Sequence, residues 1–396
     1  MKRIVELIWA AVMIAVVAST ATLLIANRGG GQRWVTEAEY ERVERYKRLD
    51  EVRQTLLDEY YQPLDEDALL TGAIRGMTSA VGDVYTFYYT PEEMKREHED
   101  SEGRYEGIGI QVERTQDGCM EIVRVYPDTP SAAAGLRAGD RIVAVDGEPV
   151  AAETFMDYLE GVGRMRGEEN TEVRLGIERG EQTLEFSVLR SAISISYASY
   201  SIIDGDIGYV SIAQFTGDAA DRFDEAIEHF REKNVSGLII DVRNDPGGLL
   251  NLVTRIADRV LPEGVIVYMQ ERDGKRTDFY SDEDYYDVPL AVLVNGMSAS
   301  ASEILAASVQ ALDRGTVVGL TTYGKGVVQT MTTYAEDGAG LQFTSACYYD
   351  ANGRTVNGVG VTPDVEVALE ADRVPVVPDP LSDNQLAAAI AEVRKK

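Results

Sequence analysis

Two short stretches hold the residue types that could do nucleophilic chemistry: Ser298-Ala299-Ser300-Ala301-Ser302-Glu303-Ile304 and Gly324-Lys325-Gly326-Val327-Val328-Gln329. The first lies between an apolar strand pattern, Leu290 to Val294, and an alanine-rich helical pattern, Glu303 to Leu312. A serine in that context stands at a helix N-terminus, where free backbone N–H groups can hold a developing oxyanion. A serine hydroxyl is a poor nucleophile until a base takes its proton, and a lysine is such a base only when neutral. Its reference pKa near 10.4 must therefore fall by roughly 3 units. Desolvation in an apolar site supplies shifts of that size. Lys325 has glycines and valines as neighbours and no adjacent acid in the sequence. If residues 325–329 are extended, period two puts Lys325, Val327 and Gln329 on one face, and Gln329 can orient the amine. With two histidines in 396 residues, Ser–Lys catalysis is the form this composition supports most easily. The pattern reads as a serine protease without a catalytic histidine.

The elements that must position these residues alternate between strand and helix periods. Ile207 to Ile212 reads as a strand, Ala219 to Lys233 as a helix, and Gly237 to Val242 as a fully apolar buried strand. Leu249 to Val260 is helical, Val265 to Gln270 and Leu290 to Val294 are strands, and Glu303 to Leu312 is helical again. Val317 to Leu320 and Val327 to Thr332 are further strands. This is a layered α/β domain over about Ile202 to Val367, whose loops at strand ends are where a site forms. One such loop, Asp241-Val242-Arg243-Asn244-Asp245-Pro246-Gly247-Gly248, leaves the buried strand with adjacent glycines. Those let backbone N–H groups approach a bound group closely. Asn384 to Val393 adds a short helix after a proline-rich tail.

From Tyr105 the period shortens towards two. Ile108, Ile110 and Val112, then Met120, Ile122 and Val125, read as strands around the turn Gln116-Asp117-Gly118. A short helix over Pro130 to Leu136, a strand over Arg141 to Val145, a helix over Ala152 to Gly161 and a hairpin over Val173 to Val188 follow. Gly107-Ile108-Gly109, Pro130-Ser131-Ala132-Ala133-Ala134-Gly135-Leu136, Gly139-Asp140-Arg141-Ile142 and Val145-Asp146-Gly147 together resemble a PDZ domain. That resemblance implies a peptide added as an extra strand, its terminal carboxylate held on the backbone of Gly107, Ile108, Gly109 and Ile110. Upstream, Glu37 to Tyr61 has helical periodicity through Val43, Leu49, Val52, Leu56 and Tyr60, and Asp67 to Met77 reads as a second helix. Such paired helices are candidates for homodimer contacts, with packing onto their own domain as the simpler alternative.

The net charge of −29 argues against nucleic acid as a partner, because phosphate binding relies on clustered Lys and Arg. Cys119 and Cys347 are neither a disulfide framework nor a metal-ligand spacing. His98 falls in a charged run and His229 on an amphipathic helix, so no metal site is expected. At the start, Lys2 and Arg3 precede the apolar run Ile4 to Ala26, interrupted by Glu6. Its length suits a single membrane-spanning helix with the N-terminus cytoplasmic and the remainder extracytoplasmic. Cleavage near Ala18-Ser19-Thr20-Ala21 and secretion is the alternative, against which the apolar residues continue through Leu24 and Ile25.

Taken together, Ser298 to Glu303, Gly324 to Gln329, Pro246-Gly247-Gly248, Gly82-Asp83-Val84-Tyr85-Thr86, Thr362-Pro363-Asp364 and the PDZ-like region resemble the C-terminal processing (tail-specific) peptidases. The resemblance runs in order from about Leu49 to the last helix. It implies a crotonase/ClpP-like α/β core with an inserted PDZ domain and N-terminal helices behind a transmembrane anchor. The corresponding divisions are 1–31 anchor and tether, 32–95 helical region, 96–190 PDZ domain, 191–372 peptidase core and 373–396 tail. Ser300 is then the nucleophile, Lys325 its base and Gln329 the orienting residue, with the N–H groups of Gly248 and Ala301 as oxyanion donors. Asp245 stands where the family often has Asn, and Val327 where it often has Thr. The expected activity is a PDZ-gated serine endopeptidase acting on protein C-termini, with no cofactor. The rival from another class is a catalytically silent PDZ scaffold.

Overall fold

The computed structural model describes residues 9, 12–14, 16–17 and 36–395, apart from 102–103, 116, 195, 371–373 and 375–377. The expected anchor, Ile4 to Ala26, lies mostly outside the described residues. Among the described residues, no helix is long and apolar enough to cross a membrane. The chain divides into two units, Met1–Ile74 and Arg75–Lys396.

The first unit is built on the helix Glu37–Glu59. Thr36 begins it with a capping box, its Oγ1 accepting Glu39 N–H at 3.3 Å while its own N–H donates to Glu39 Oε2 at 2.6 Å. None of its residues is buried, and Tyr40, Val43, Leu49 and Val52 stand exposed. The helix Glu66–Ser79 follows.

The second unit opens with β1 (Phe87–Tyr89), a helix Pro91–Ser101 that carries His98, and β2 (Arg104–Gly107). An antiparallel sheet comes next from β3 (Ile110–Arg114), β4 (Met120–Val125), β5 (Arg141–Val145), β6 (Glu148–Pro149), β7 (Glu172–Arg179) and β8 (Gln182–Leu189). Alternate residues Val173, Leu175 and Ile177 of β7 point inward onto Met120, Ile122, Ile142 and Val145. The helix expected over Ala152 to Gly161 is displaced to Phe155–Met165. Thr154 caps it, while Ala152 is wholly buried and donates its N–H to Gly118 O at 2.8 Å. β9 (Ser191–Ser194) pairs with β2.

The core sheet runs β10 (Ala198–Ile203), β11 (Ile207–Ile212), β12 (Gly237–Asp241), then β15 (Leu290–Val294), β16 (Thr316–Gly319) and β19 (Val365–Glu366), all parallel except β10. β13 (Gly264–Glu271), β14 (Arg276–Ser281), β17 (Val327–Thr333) and β18 (Gly340–Tyr349) join β1 in a second, antiparallel sheet. Leu238 and Ile240 of β12 pack beneath the helices Ala219–Lys233, Leu250–Asp258 and Ala301–Ala311. Ile239 faces the other way, onto Leu386 and Ile390 of the helix Asn384–Val393. Both faces are covered, which is why these strands read as unbroken apolar runs. The strands β10, β14 and β18, and the helix Pro91–Ser101, have no counterpart in the sequence reading.

The end of β12 is fastened to the last helix by a buried polar cluster. Arg243 Nη2 donates to Asp241 Oδ2 at 2.6 Å and to Asp383 Oδ2 at 2.8 Å, and its Nη1 to Gln385 Oε1 at 3.0 Å. Tyr209 adds its hydroxyl to Asp241 at 2.7 Å. Burial alone would raise the Asp241 pKa, but the adjacent guanidinium outweighs it and holds the carboxylate below its usual range.

Candidate active site

The proposed catalytic loops all leave the C-terminal ends of neighbouring parallel strands, where open α/β sheets place their sites. Residues 242–249 follow β12, 295–300 follow β15 and 320–326 follow β16. The three serines of the second loop have different environments. Ser298 Oγ donates to Val242 O at 2.7 Å and accepts Asn295 N–H at 3.0 Å, and Ser302 Oγ donates to Asp245 O at 2.9 Å. Both are fully buried. Ser300 is half-buried and faces the cavity described below, and among the described residues its hydroxyl donates no hydrogen bond, leaving its proton free. Its backbone sits at φ 54°, ψ −111°, a conformation that costs an L-residue on the order of 1–3 kcal/mol. Strain and free hydroxyl both single out Ser300.

The loop 242–249 lies directly against it. A Cβ on Gly247 would stand 2.6 Å from Ala299 O and 2.8 Å from Ala301 N, and one on Gly248 would collide with Phe215 O. With φ of 101° and 142°, both positions require glycine. Gly248 N–H and Ala301 N–H have no protein acceptor among the described residues, so both remain available to an oxyanion. Asp245 is fully buried, accepts Gly247 N–H at 2.8 Å through Oδ1, and leaves Oδ2 unpartnered. Burial pushes its pKa well above the usual carboxyl range.

Lys325 is not in the extended strand that would align it with Gln329. β17 begins at Val327, and a register shift between Val328 and Gln329 breaks the period-two face. Lys325 Nζ lies over the Tyr85 ring, 4.4 Å from its centroid, and shares no hydrogen bond with Ser300 or Gln329 among the described residues. Gln329 Nε2 donates to Thr344 Oγ1 at 3.3 Å instead. Burial depresses the Lys325 pKa, opposed by Asp83 and Glu303. The sequence neighbourhood holds no acid, but the fold brings two from far away.

What sets the spacing of serine and lysine is Glu303, which the sequence reading quoted without a role. It is fully buried. Its Oε2 accepts Ser300 N–H and Lys325 N–H, both at 2.8 Å, and its Oε1 accepts Gly324 N–H at 2.7 Å and the Thr322 hydroxyl at 2.5 Å. One carboxylate oxygen thus holds the backbones of both proposed catalytic residues. Tyr348, kept protonated by burial, places its hydroxyl 3.0 Å from Ser300 O and 2.5 Å from Lys325 O as a second clasp. The readable signal for Glu303 was its position three residues after the helix cap, the capping-box spacing.

Ser300, Lys325, Gln329, Gly248 and Ala301 line one cavity of about 570 Å³. That cavity continues to Ile110, Gln111 and Val112 of β3 and to Tyr158 and Val162 of the facing helix. Of the four expected carboxylate-holding residues, Ile110 lines it. Gly107 is paired with Ser191 in the β2–β9 ladder, and Ile108 O accepts Ser131 N–H at 3.0 Å. Gly109 O accepts Tyr126 N–H at 3.1 Å, and a Cβ on Gly109 would strike Thr129.

Comparison with known proteins agrees with this architecture. A model of peptidase family S41 matches residues 206–367, a PDZ-domain model 121–179, and a model of the activating protease CtpB N-terminal domain 20–93. The chain is 31% identical over 374 residues to the carboxy-terminal processing protease CtpA of Bacillus subtilis (strain 168), spanning 93% of this chain and 78% of that relative. It is 33% identical over 345 residues to the carboxy-terminal-processing protease of Bartonella bacilliformis, spanning 85% and 78%. Among solved structures, a photosystem II D1 C-terminal processing protease superposes with TM-score 0.62 at 26% identity, over 84% of this chain and 94% of that one. The chain therefore belongs to peptidase family S41, the carboxy-terminal processing proteases, as a serine-type peptidase with a PDZ domain.

Proposed function

We propose that this peptidase recognises the C-termini of protein substrates through its PDZ domain and cleaves by an acyl-enzyme route at Ser300 and Lys325. The observation that carries the proposal is the free hydroxyl of Ser300 at a strained helix start, facing a cavity it shares with Lys325 and the unused N–H groups of Gly248 and Ala301. Ser300 Oγ adds to the scissile carbonyl carbon as its proton passes to the neutral Lys325 amine. The carbonyl oxygen, now negative, is held by the two N–H groups. Collapse breaks the C–N bond, and the departing amine takes the proton back from Lys325. Water then hydrolyses the ester by the same steps. Gln329, on the cavity wall, would orient the amine once Lys325 turns towards Ser300. A serine-directed phosphonate should leave one covalent adduct, which peptide mapping finds on Ser300; an adduct on any other serine contradicts the route.

The continuity of the cavity from Ser300 to Ile110 supports recognition of a free carboxylate near β3. Peptides with a free apolar C-terminus are expected to be cut faster than the same peptides amidated, and Ile110→Glu, whose carboxylate repels a free C-terminus, should reduce that preference. Equal rates on both peptides with the wild type would show that the C-terminus is not read. We propose further that Ile4 to Ala26 anchors the chain with its catalytic part extracytoplasmic, as the preceding Lys2 and Arg3 support. The exposed apolar residues of the helix Glu37–Glu59 support pairing with a second copy of the chain.

A further inference from the structure

The segment Gly82-Asp83-Val84-Tyr85-Thr86 stands out in the sequence but has no part in the chemistry above. In the fold it ends beside the proposed base. Tyr85 turns its ring towards Lys325, with Nζ 4.4 Å from the centroid. The segment is held there at several points. Tyr85 O accepts Gln342 Nε2 at 3.2 Å, and Thr86 Oγ1 accepts Thr344 N–H at 3.4 Å while donating to Asp83 at 2.5 Å. Thr344 is the residue that receives Gln329. β1 then continues the attachment by pairing with β18.

An aromatic face attracts an ammonium but not a neutral amine. The ring contact therefore favours the form of Lys325 that cannot take a proton from Ser300. The other titratable groups that act on the amine are Asp83 from the same segment and Glu303 from the helix Ala301–Ala311; Tyr323, in the loop that holds Lys325, acts on Tyr85, and Tyr348 from β18 donates its hydroxyl to Lys325 O. The two carboxylates also favour the ammonium, and burial opposes all three.

We propose that Tyr85 is a positioning residue for Lys325: its ring holds the ammonium in a resting arrangement disengaged from Ser300 and sets the pH at which the amine becomes a base. This inference rests on the Ser–Lys reading. The sign follows directly. Removing the ring removes a stabiliser of the charged form, so the Lys325 pKa falls and the acid limb of the activity profile moves to lower pH. The expected displacement is about 0.5 to 1 unit, equivalent to roughly three- to tenfold more activity on the acid side of the limb.

The test is a pH profile of kcat/KM for the full chain on a free-acid peptide, with thermal melts as a control. Wild type, Tyr85→Phe, Tyr85→Leu and Tyr85→Trp are compared, with Ser300→Ala and Lys325→Ala as blanks. Tyr85→Phe, which keeps the ring, should retain the wild-type limb, and Tyr85→Leu should move it to lower pH. Tyr85→Trp, a stronger cation holder, should move it to higher pH and decides the matter if the leucine variant does not fold. An unmoved limb in the folded leucine or tryptophan variant, with both blanks inactive, overturns the role of Tyr85 and leaves the dyad standing. Activity in Lys325→Ala overturns the dyad itself.

Discussion

Ser300→Ala is expected to lower kcat by about 10,000- to 1,000,000-fold, as loss of a nucleophile does in other serine proteases. Lys325→Ala should fall comparably, because members of one catalytic unit are not additive. The controls come from the same run. Ser298→Ala keeps the proposed nucleophile but strands Val242 O and Asn295 N–H, partners at 2.7 and 3.0 Å, at a cost of roughly 1–3 kcal/mol. It should therefore lose stability in a denaturant titration while most of its rate per folded molecule survives. Initial rates at equal folded concentration separate the two outcomes. A dead Ser298→Ala beside an active Ser300→Ala would move the nucleophile by two residues.

The second large effect is expected at Glu303. Each of its carboxylate oxygens accepts two donors. An amide has one oxygen, so Glu303→Gln must turn its NH2 group against two of those donors, either Ser300 and Lys325 N–H or Gly324 N–H and the Thr322 hydroxyl. Displacement of the serine or lysine by an ångström is enough to cost on the order of 100-fold in kcat. Glu303→Ala leaves all four donors without their acceptor, two of them buried, and should destabilise the fold by about 3 kcal/mol. Paired measurements of kcat and of unfolding by denaturant check both variants. Wild-type kcat in a stably folded Glu303→Gln would mean that the carboxylate does not set the catalytic spacing.

These two predictions differ in how far the sequence announced them. Ser300 and Lys325 were legible because each sits in a short run with its own composition, small residues before a helix and glycines around a lysine. The buried strands β12 and β15 were legible for a similarly local reason, since burial on both faces leaves an apolar stretch bounded by polar turns. β18 was not, because Gln342, Thr344 and Ser345 dilute its apolar pattern and its residues are mostly half-buried. With β18 hidden, the placement of Tyr348, Thr344 and Tyr85 was hidden as well, since β1, β13 and β17 all pair with it. The expectation that Gln329 shares a face with Lys325 assumed an unbroken strand. A bulge and a strand start at Val327 break it, and neither leaves a trace in residue types. Gly107 to Gly109 show the same limit: the glycines were found, but the carbonyl contacts that hold their loop come from Ser131, Tyr126 and Thr129 further along the chain.

The Arg243 cluster bears on when the peptidase can first act. Its guanidinium joins Asp241, two residues earlier, to Asp383, 140 residues later. A lone partner leaves such a cation poorly compensated in a buried position, and Arg243 lies within the loop 242–249 that carries Gly248, a proposed oxyanion donor. The loop 242–249 therefore has its buried cation fully compensated only once the helix Asn384–Val393, 140 residues further along the chain, has docked against the sheet.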